Sequence, residues 1–176
     1  ETAKAVRALV YDPSLSGDSV LEWLDHLRET LLSRTGISVS RVALCRKVVT
    51  FGVYEELDDT DFLSGRTLRA IVYTQINRFQ SELTDARQFR TALATRLEVF
   101  SADGQSVWMH EEPDIEDLSR ARRTDFFIAQ RITLPPTLPA DEYVLKVLVE
   151  DRLSGKMDET AHRFAIRAAH SVARGG

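Results

Sequence analysis

Tyr143-Val144-Leu145-Lys146-Val147-Leu148-Val149-Glu150, then the pair Ser154-Gly155, then His162-Arg163-Phe164-Ala165-Ile166-Arg167, is the stretch on which the fold reading turns. Tyr143, Leu145, Val147 and Val149 share one parity, and Val144, Lys146, Leu148 and Glu150 share the other. A strand sends successive side chains to opposite faces, so this spacing predicts a strand. Beyond the Ser154-Gly155 turn, His162, Phe164 and Ile166 alternate with Arg163 and Arg167, which predicts a second strand paired with the first.

The same period runs backward through most of the chain. Phe126, Ile128 and Ile132 mark a strand that stops at Pro135-Pro136. Phe89, Leu93, Leu97 and Val99 alternate with Arg90, Arg96 and Glu98 up to Asp103-Gly104, and Val107-Trp108-Met109 follows, a hairpin signature. An acidic loop over 111–117 is expected next, leading to Arg120, Arg122 and Arg123. Residues 68–79 read as a strand whose continuous Ala70-Ile71-Val72-Tyr73 predicts a central position covered on both faces. Over 42–54 the parity changes between Val42 and Leu44 on one side and Val49, Phe51 and Val53 on the other. This predicts two short strands joined by a bulge or bend, with Gly52 at the bend. A second acidic loop, Glu55, Glu56, Asp58, Asp59 and Asp61, closes at Ser64-Gly65. About seven strands result, with no helix between them to act as a parallel crossover, so a mainly β, antiparallel two-sheet sandwich over 39–167 is expected.

Before the strands the period is helical. Val20, Leu24, Leu27 and Leu31 form an apolar stripe opposite Asp25, Arg28 and Glu29, with a capping box at Ser19 and Glu22 and a stop at Gly36. One amphipathic helix over 18–36 follows, its stripe packed on the sandwich or on a second copy; a membrane-surface helix would carry a more basic polar face. Residues 1–17, broken by Pro13 and the Ser/Gly run 14–17, read as a flexible lead-in, and 168–176 as a frayed tail.

Leu138-Pro139 and Glu142-Tyr143, with the hairpin after them, resemble immunoglobulin-like and fibronectin type III domains. The resemblance covers about the last 40 residues. It implies an immunoglobulin-like sandwich in which the Tyr143 hydroxyl bonds back to the corner backbone. Leu44-Cys45-Arg46-Lys47, Phe51-Gly52-Val53-Tyr54-Glu55, Arg122-Arg123-Thr124-Asp125-Phe126-Phe127 and residues 148–156 resemble a family of uncharacterised planctomycete-type bacterial proteins with export signals. That resemblance implies an extracytoplasmic or cell-envelope setting and assigns no activity.

The 176 residues carry 43% hydrophobic and 28% charged side chains and a formal charge of −4, with acids and bases interleaved. Nucleic acid is disfavoured as a partner because it is held by clustered Lys and Arg. No apolar run is long enough for membrane insertion. The single cysteine, Cys45, forms no intrachain disulfide and is expected to be buried and apolar in role. Glycine-rich phosphate loops, zinc spacings among His26, His110, His162 and His170, and a serine elbow are all missing, so no cofactor is expected.

The leading expectation is a non-enzymatic protein-interaction or structural module of a bacterial envelope or exported protein, through a sheet face, an edge strand or the N-terminal helix, which would also serve a homo-oligomer. The alternative is a ligand-binding sandwich for carbohydrate or Ca²⁺. For it, Tyr54 and Trp108 would stack a sugar ring; Arg120, Arg122 and Arg123 would hold a carboxylate or phosphate, or pair with Asp117 or Asp125. Asp58, Asp59 and Asp61 would converge with Glu111, Glu112 and Asp114 to supply oxygen ligands. A hydrolase using loop carboxylates stands third.

Overall fold

The computed structural model describes residues 16–58 and 60–169. The expected lead-in and tail lie outside these residues apart from their inner ends, as do Asp59 and His170. The chain divides after Gly36 into two compact units.

The first contains helix α1 (Gly17–Arg34). Its cap is Ser16, whose hydroxyl accepts from the Ser19 N–H at 3.2 Å, so the start lies three residues before the expected Ser19 box. Asp18 then falls in the first turn, where the helix dipole favours a carboxylate. The helix ends on Thr35, whose N–H and hydroxyl both reach the Leu31 carbonyl, at 2.9 and 3.0 Å; Gly36 follows the cap and does not form it. Among the described residues no helix is long and apolar enough to cross a membrane.

The second unit is an antiparallel two-sheet sandwich. Its strands are β1 (Ser38–Thr50), β2 (Val53–Glu56), β3 (Leu68–Asn77), β4 (Glu82–Leu83), β5 (Phe89–Ser101), β6 (Ser106–Ser119), β7 (Asp125–Leu134), β8 (Asp141–Asp151) and β9 (Lys156–Ile166). Sheet I has the order β2-β1-β3-β7. Sheet II runs β6-β5-β8-β9, with two-residue β4 beside β5 at Phe89 and Arg90, on the side that β8 occupies further along. Seven strands have ten or more residues, and β2 and β4 are short additions; the periodicity predicts about seven strands in all.

Leu44, Val72, Ile76, Ile128 and Ile132 of sheet I pack with Leu93, Leu97, Val99, Leu145, Val147 and Val149 of sheet II, all buried in one cluster. Each buried aliphatic side chain contributes about 1.5–3 kcal/mol relative to exposure. At the corner before β8, the Tyr143 hydroxyl donates to the Pro139 carbonyl at 3.0 Å. Asp151, 1% exposed, accepts from the backbone N–H groups of Gln80, Leu153 and Ser154, joining the β8–β9 turn to the segment after β3.

Two expectations are corrected. Residues 42–54 form the end of one long strand, a turn at Phe51-Gly52 and the returning β2; Gly52, at φ 70°, serves the turn. The parity change comes from irregular pairing with β2, between Cys45 and Lys47 and again between Val48 and Thr50. Residues 111–117 are strand, not loop. The pairing shift between Leu93 and Thr95 accommodates Pro113 and Asp114 as a bulge, and an edge bulge is where a strand tolerates proline. The acids there sit exposed beside arginines of β5, which is why composition alone reads them as loop.

β3 is central, as expected, and its second face is covered from within the same sheet. Ala43, Cys45 and Tyr73 form a separate buried cluster, with Val48, Tyr54, Ile71 and Phe127 packed around it. The β1–β2 hairpin reaches over this face. The Gly52 N–H donates to the Tyr73 hydroxyl at 2.9 Å, and the Phe51 ring meets that of Phe127 at 6.3 Å between centroids.

Candidate functional site

The residues proposed for ligand binding are distributed over both sheets. Tyr54 lies in sheet I with its ring 4.4 Å from that of Tyr73 and beneath the Arg41 guanidinium, so its aromatic surface is engaged within the domain. Trp108 lies on β6 in sheet II, stacked with His110 and packed on the main core. The two rings therefore do not form one platform. Arg123 pairs with Asp117 at 2.8 Å and lies over Phe126, and Arg122 lies over Phe89. Arg120 is exposed at the start of the β6–β7 connection.

Asp58 and Asp61 belong to the β2–β3 connection, whereas Glu111, Glu112 and Asp114 lie along β6 in the other sheet. Asp61 pairs with Arg46 at 2.6 Å, while Asp58 accepts from the Thr60 hydroxyl and N–H, which hold its carboxyl below the usual range. Glu111 faces Arg96 at 3.7 Å and Asp114 faces Arg152 at 4.0 Å. Among the described residues no group of three His, Cys, Asp or Glu is arranged to hold a metal ion.

On the outer face of sheet II, a depression of about 260 Å³ is lined by Ala94, Arg96, Glu111, Pro113, Leu148, Glu150 and Arg152. Arg96 turns to Glu111, and Arg152 donates to the Pro113 carbonyl at 3.0 Å. This lining is an ion-pair lattice without an aromatic platform. Cys45, fully buried under the hairpin, has its thiol pushed up to about 11 by burial, with Glu56 adding to the effect. A thiol so placed is not a nucleophile at neutral pH.

The open edges are where the domain differs most from a closed surface. An unpaired strand presents a row of N–H and C=O groups to any chain that can pair with it, and native domains normally blunt such rows. β2 is four residues long. β9 is held against β1, since the Val39 N–H donates to the Asp158 carboxylate at 2.8 Å. β6 carries Glu111, Glu112, Asp114, Glu116 and Asp117, a proline and two pairing shifts.

β7 has none of these devices. Its ten residues pair with β3 from Asp125 to Leu134 without a shift, contain no proline and include one acid and one base. Among the described residues β3 is its sole ladder partner. Its inward residues Ile128, Gln130, Ile132 and Leu134 are buried, anchoring the strand, while Asp125, Ala129, Arg131 and Thr133 are exposed. Beside Phe127 stands the tip of the β1–β2 hairpin, where Val49 and Val53 are 63% and 53% exposed. An apolar patch thus adjoins the plain edge. Sequence reading located the strand but not its edge position, because neighbours in a sheet are set by distant segments.

No family model matches the chain, and no curated protein matches it. Among solved structures, the chain is similar to a Bacteroides uniformis beta-glucuronidase at 10% identity, over 74% of this chain and 13% of that one, with a TM-score of 0.43. A Parabacteroides merdae beta-glucuronidase is similar at 15% identity, over 77% and 14%, with a TM-score of 0.43. The C-terminal domain of wzt is similar at 12% identity, over 78% and 75%, with a TM-score of 0.42. The chain thus spans about one seventh of the two glucuronidases it resembles.

Proposed function

We propose that this domain is a non-enzymatic protein-interaction module that docks through the free edge of β7, within an envelope or exported bacterial protein. The observation that carries this reading is the contrast among its edges: three are short, held or charged, and one is long, regular and, among the described residues, unpaired on its outer side. Strand addition to such an edge obtains affinity from main-chain hydrogen bonds and selectivity from alternate side chains. The exposed valines at the hairpin tip supply apolar area next to that row. The envelope setting rests on the resemblance to exported proteins.

A photo-crosslinking residue at Ala129 on β7, compared with one at Glu112 on β6, tests the reading in the cells that make the protein. Adducts are expected from Ala129 and not from Glu112. Equal labelling from both positions, or none from Ala129, contradicts a docking role for β7.

A further inference from the structure

We infer that the strand which adds to β7 is β7 of a second copy, in one antiparallel register centred on Ile128. The inference rests on the reading of β7 as the docking edge and names its occupant. Asp125, Phe127, Ala129, Arg131 and Thr133 share the outer parity of the strand. When two copies of a strand pair about a two-fold axis, residues equally distant from the axis on either side face each other, and they share a face.

With the axis at Ile128, Asp125 of each copy stands opposite Arg131 of the other, giving two ion pairs, and Phe127 stands opposite Ala129. Moving the axis to Phe127 sets Arg131 against Arg123. Moving it to Ala129 sets Arg131 against Phe127 and Asp125 against Thr133. Only the Ile128 register places both charged residues of the strand against an opposite charge. Asp125 and Arg131 are exposed, and among the described residues neither side chain has a hydrogen-bond or ion-pair partner.

The geometry also explains why such assembly stops at two. Pairing consumes both β7 edges and leaves β2 at each end of the merged sheet, a strand of four residues with irregular pairing. Closed two-fold association follows, and open growth does not.

The test is the mass of the protein across a concentration series by sedimentation or light scattering. A dimer is expected. Arg131→Asp, at an exposed position, sets carboxylates against carboxylates and weakens the dimer by about tenfold or more. Adding Asp125→Arg to it restores the opposite-charge pairs and the dimer, with thermal melting confirming that both variants fold. A wild-type monomer at every concentration, a dimer indifferent to Arg131→Asp, or a double variant that stays as weak as the single one overturns the inference. Cross-links from Ala129 to a different protein, with the wild type monomeric, sustain the docking edge and overturn self-pairing. No adduct from Ala129 sinks both.

Discussion

Sheets I and II solve the same problem with different chemistry. Each must bury one face against the other sheet and do something with its outer face and outer edge. Sheet II keeps its outer face wet and charged: Arg90 bridges Glu82 and Glu116, Arg96 meets Glu98 and Glu111, and Lys146 meets Glu159 at 3.1 Å. Its edge strand β6 is likewise acidic and bulged. Sheet I folds its own hairpin over its outer face, burying Tyr73 and Cys45 completely, and leaves a plain edge at β7. The difference teaches that one sandwich can cover one outer face with its own aromatic hairpin and leave the other to solvated ion pairs. The aromatic cover packs Tyr54 and Phe127 against Tyr73, next to the strand at which sheet I ends.

The most severe way to break this contrast is Tyr73→Ala. It removes a fully buried ring that touches Tyr54 and Phe127, together with the hydroxyl that accepts the Gly52 N–H. A loss of about 3–5 kcal/mol is expected in denaturant unfolding, of the size seen for large aromatic truncations. Tyr73→Phe, which keeps the ring and loses the hydroxyl, is expected to cost about 1 kcal/mol. Cys45 reports on the same cover: it should resist thiol reagents in the native protein and become reactive in the Tyr73→Ala variant.

A smaller effect sharpens the comparison at the seam where β9 approaches β1. His162 has its pKa held below the ordinary 6.5 by burial, opposed in part by Glu56 and by a hydrogen bond with the Val42 backbone. The unfolded chain therefore binds this proton more readily than the folded one. The stability tied to neutral His162 is present above about pH 6.5 and is lost as the pH falls toward and through the lower folded value. Thermal melts between pH 7 and pH 5 should show this decline, and His162→Gln should flatten it. The smallest effect is expected on the outer face of sheet II. Arg90→Ala removes two exposed ion pairs, and exposed pairs add little net stability, so the unfolding midpoint should hardly move. A large shift there would erase the distinction between the two outer faces.

Much of this architecture is legible residue by residue. The alternation of Tyr143, Leu145, Val147 and Val149 matches the buried face of β8, and the continuous run at Ala70-Ile71-Val72-Tyr73 anticipates a strand covered twice. The errors have a common cause. Residues 111–117 read as loop because acids and a proline dominate them, yet β5 supplies arginines and a ladder on one side, which suffices for an edge. Ser19 presents the more complete capping pattern in sequence, but Ser16 caps the helix, because the choice between them depends on where the first turn closes. The ligand candidates Tyr54, Trp108 and the two acidic stretches were sensible by residue type, but their separation between sheets is a property of the fold.

By itself the sequence determined the class of this domain, its count of about seven strands, its leading helix and the inward face of most strands, because alternation and capping are local consequences of backbone geometry. Tertiary structure alone decided the strand order, the hairpin folded over Tyr73, the dispersal of the candidate ligand residues and, among the described residues, the terminal place of β7 in its sheet. Those features depend on which distant segments become neighbours. A strand's own residues say how it is pleated, whereas its place in the sheet is set by the strands that pair beside it and by those that do not.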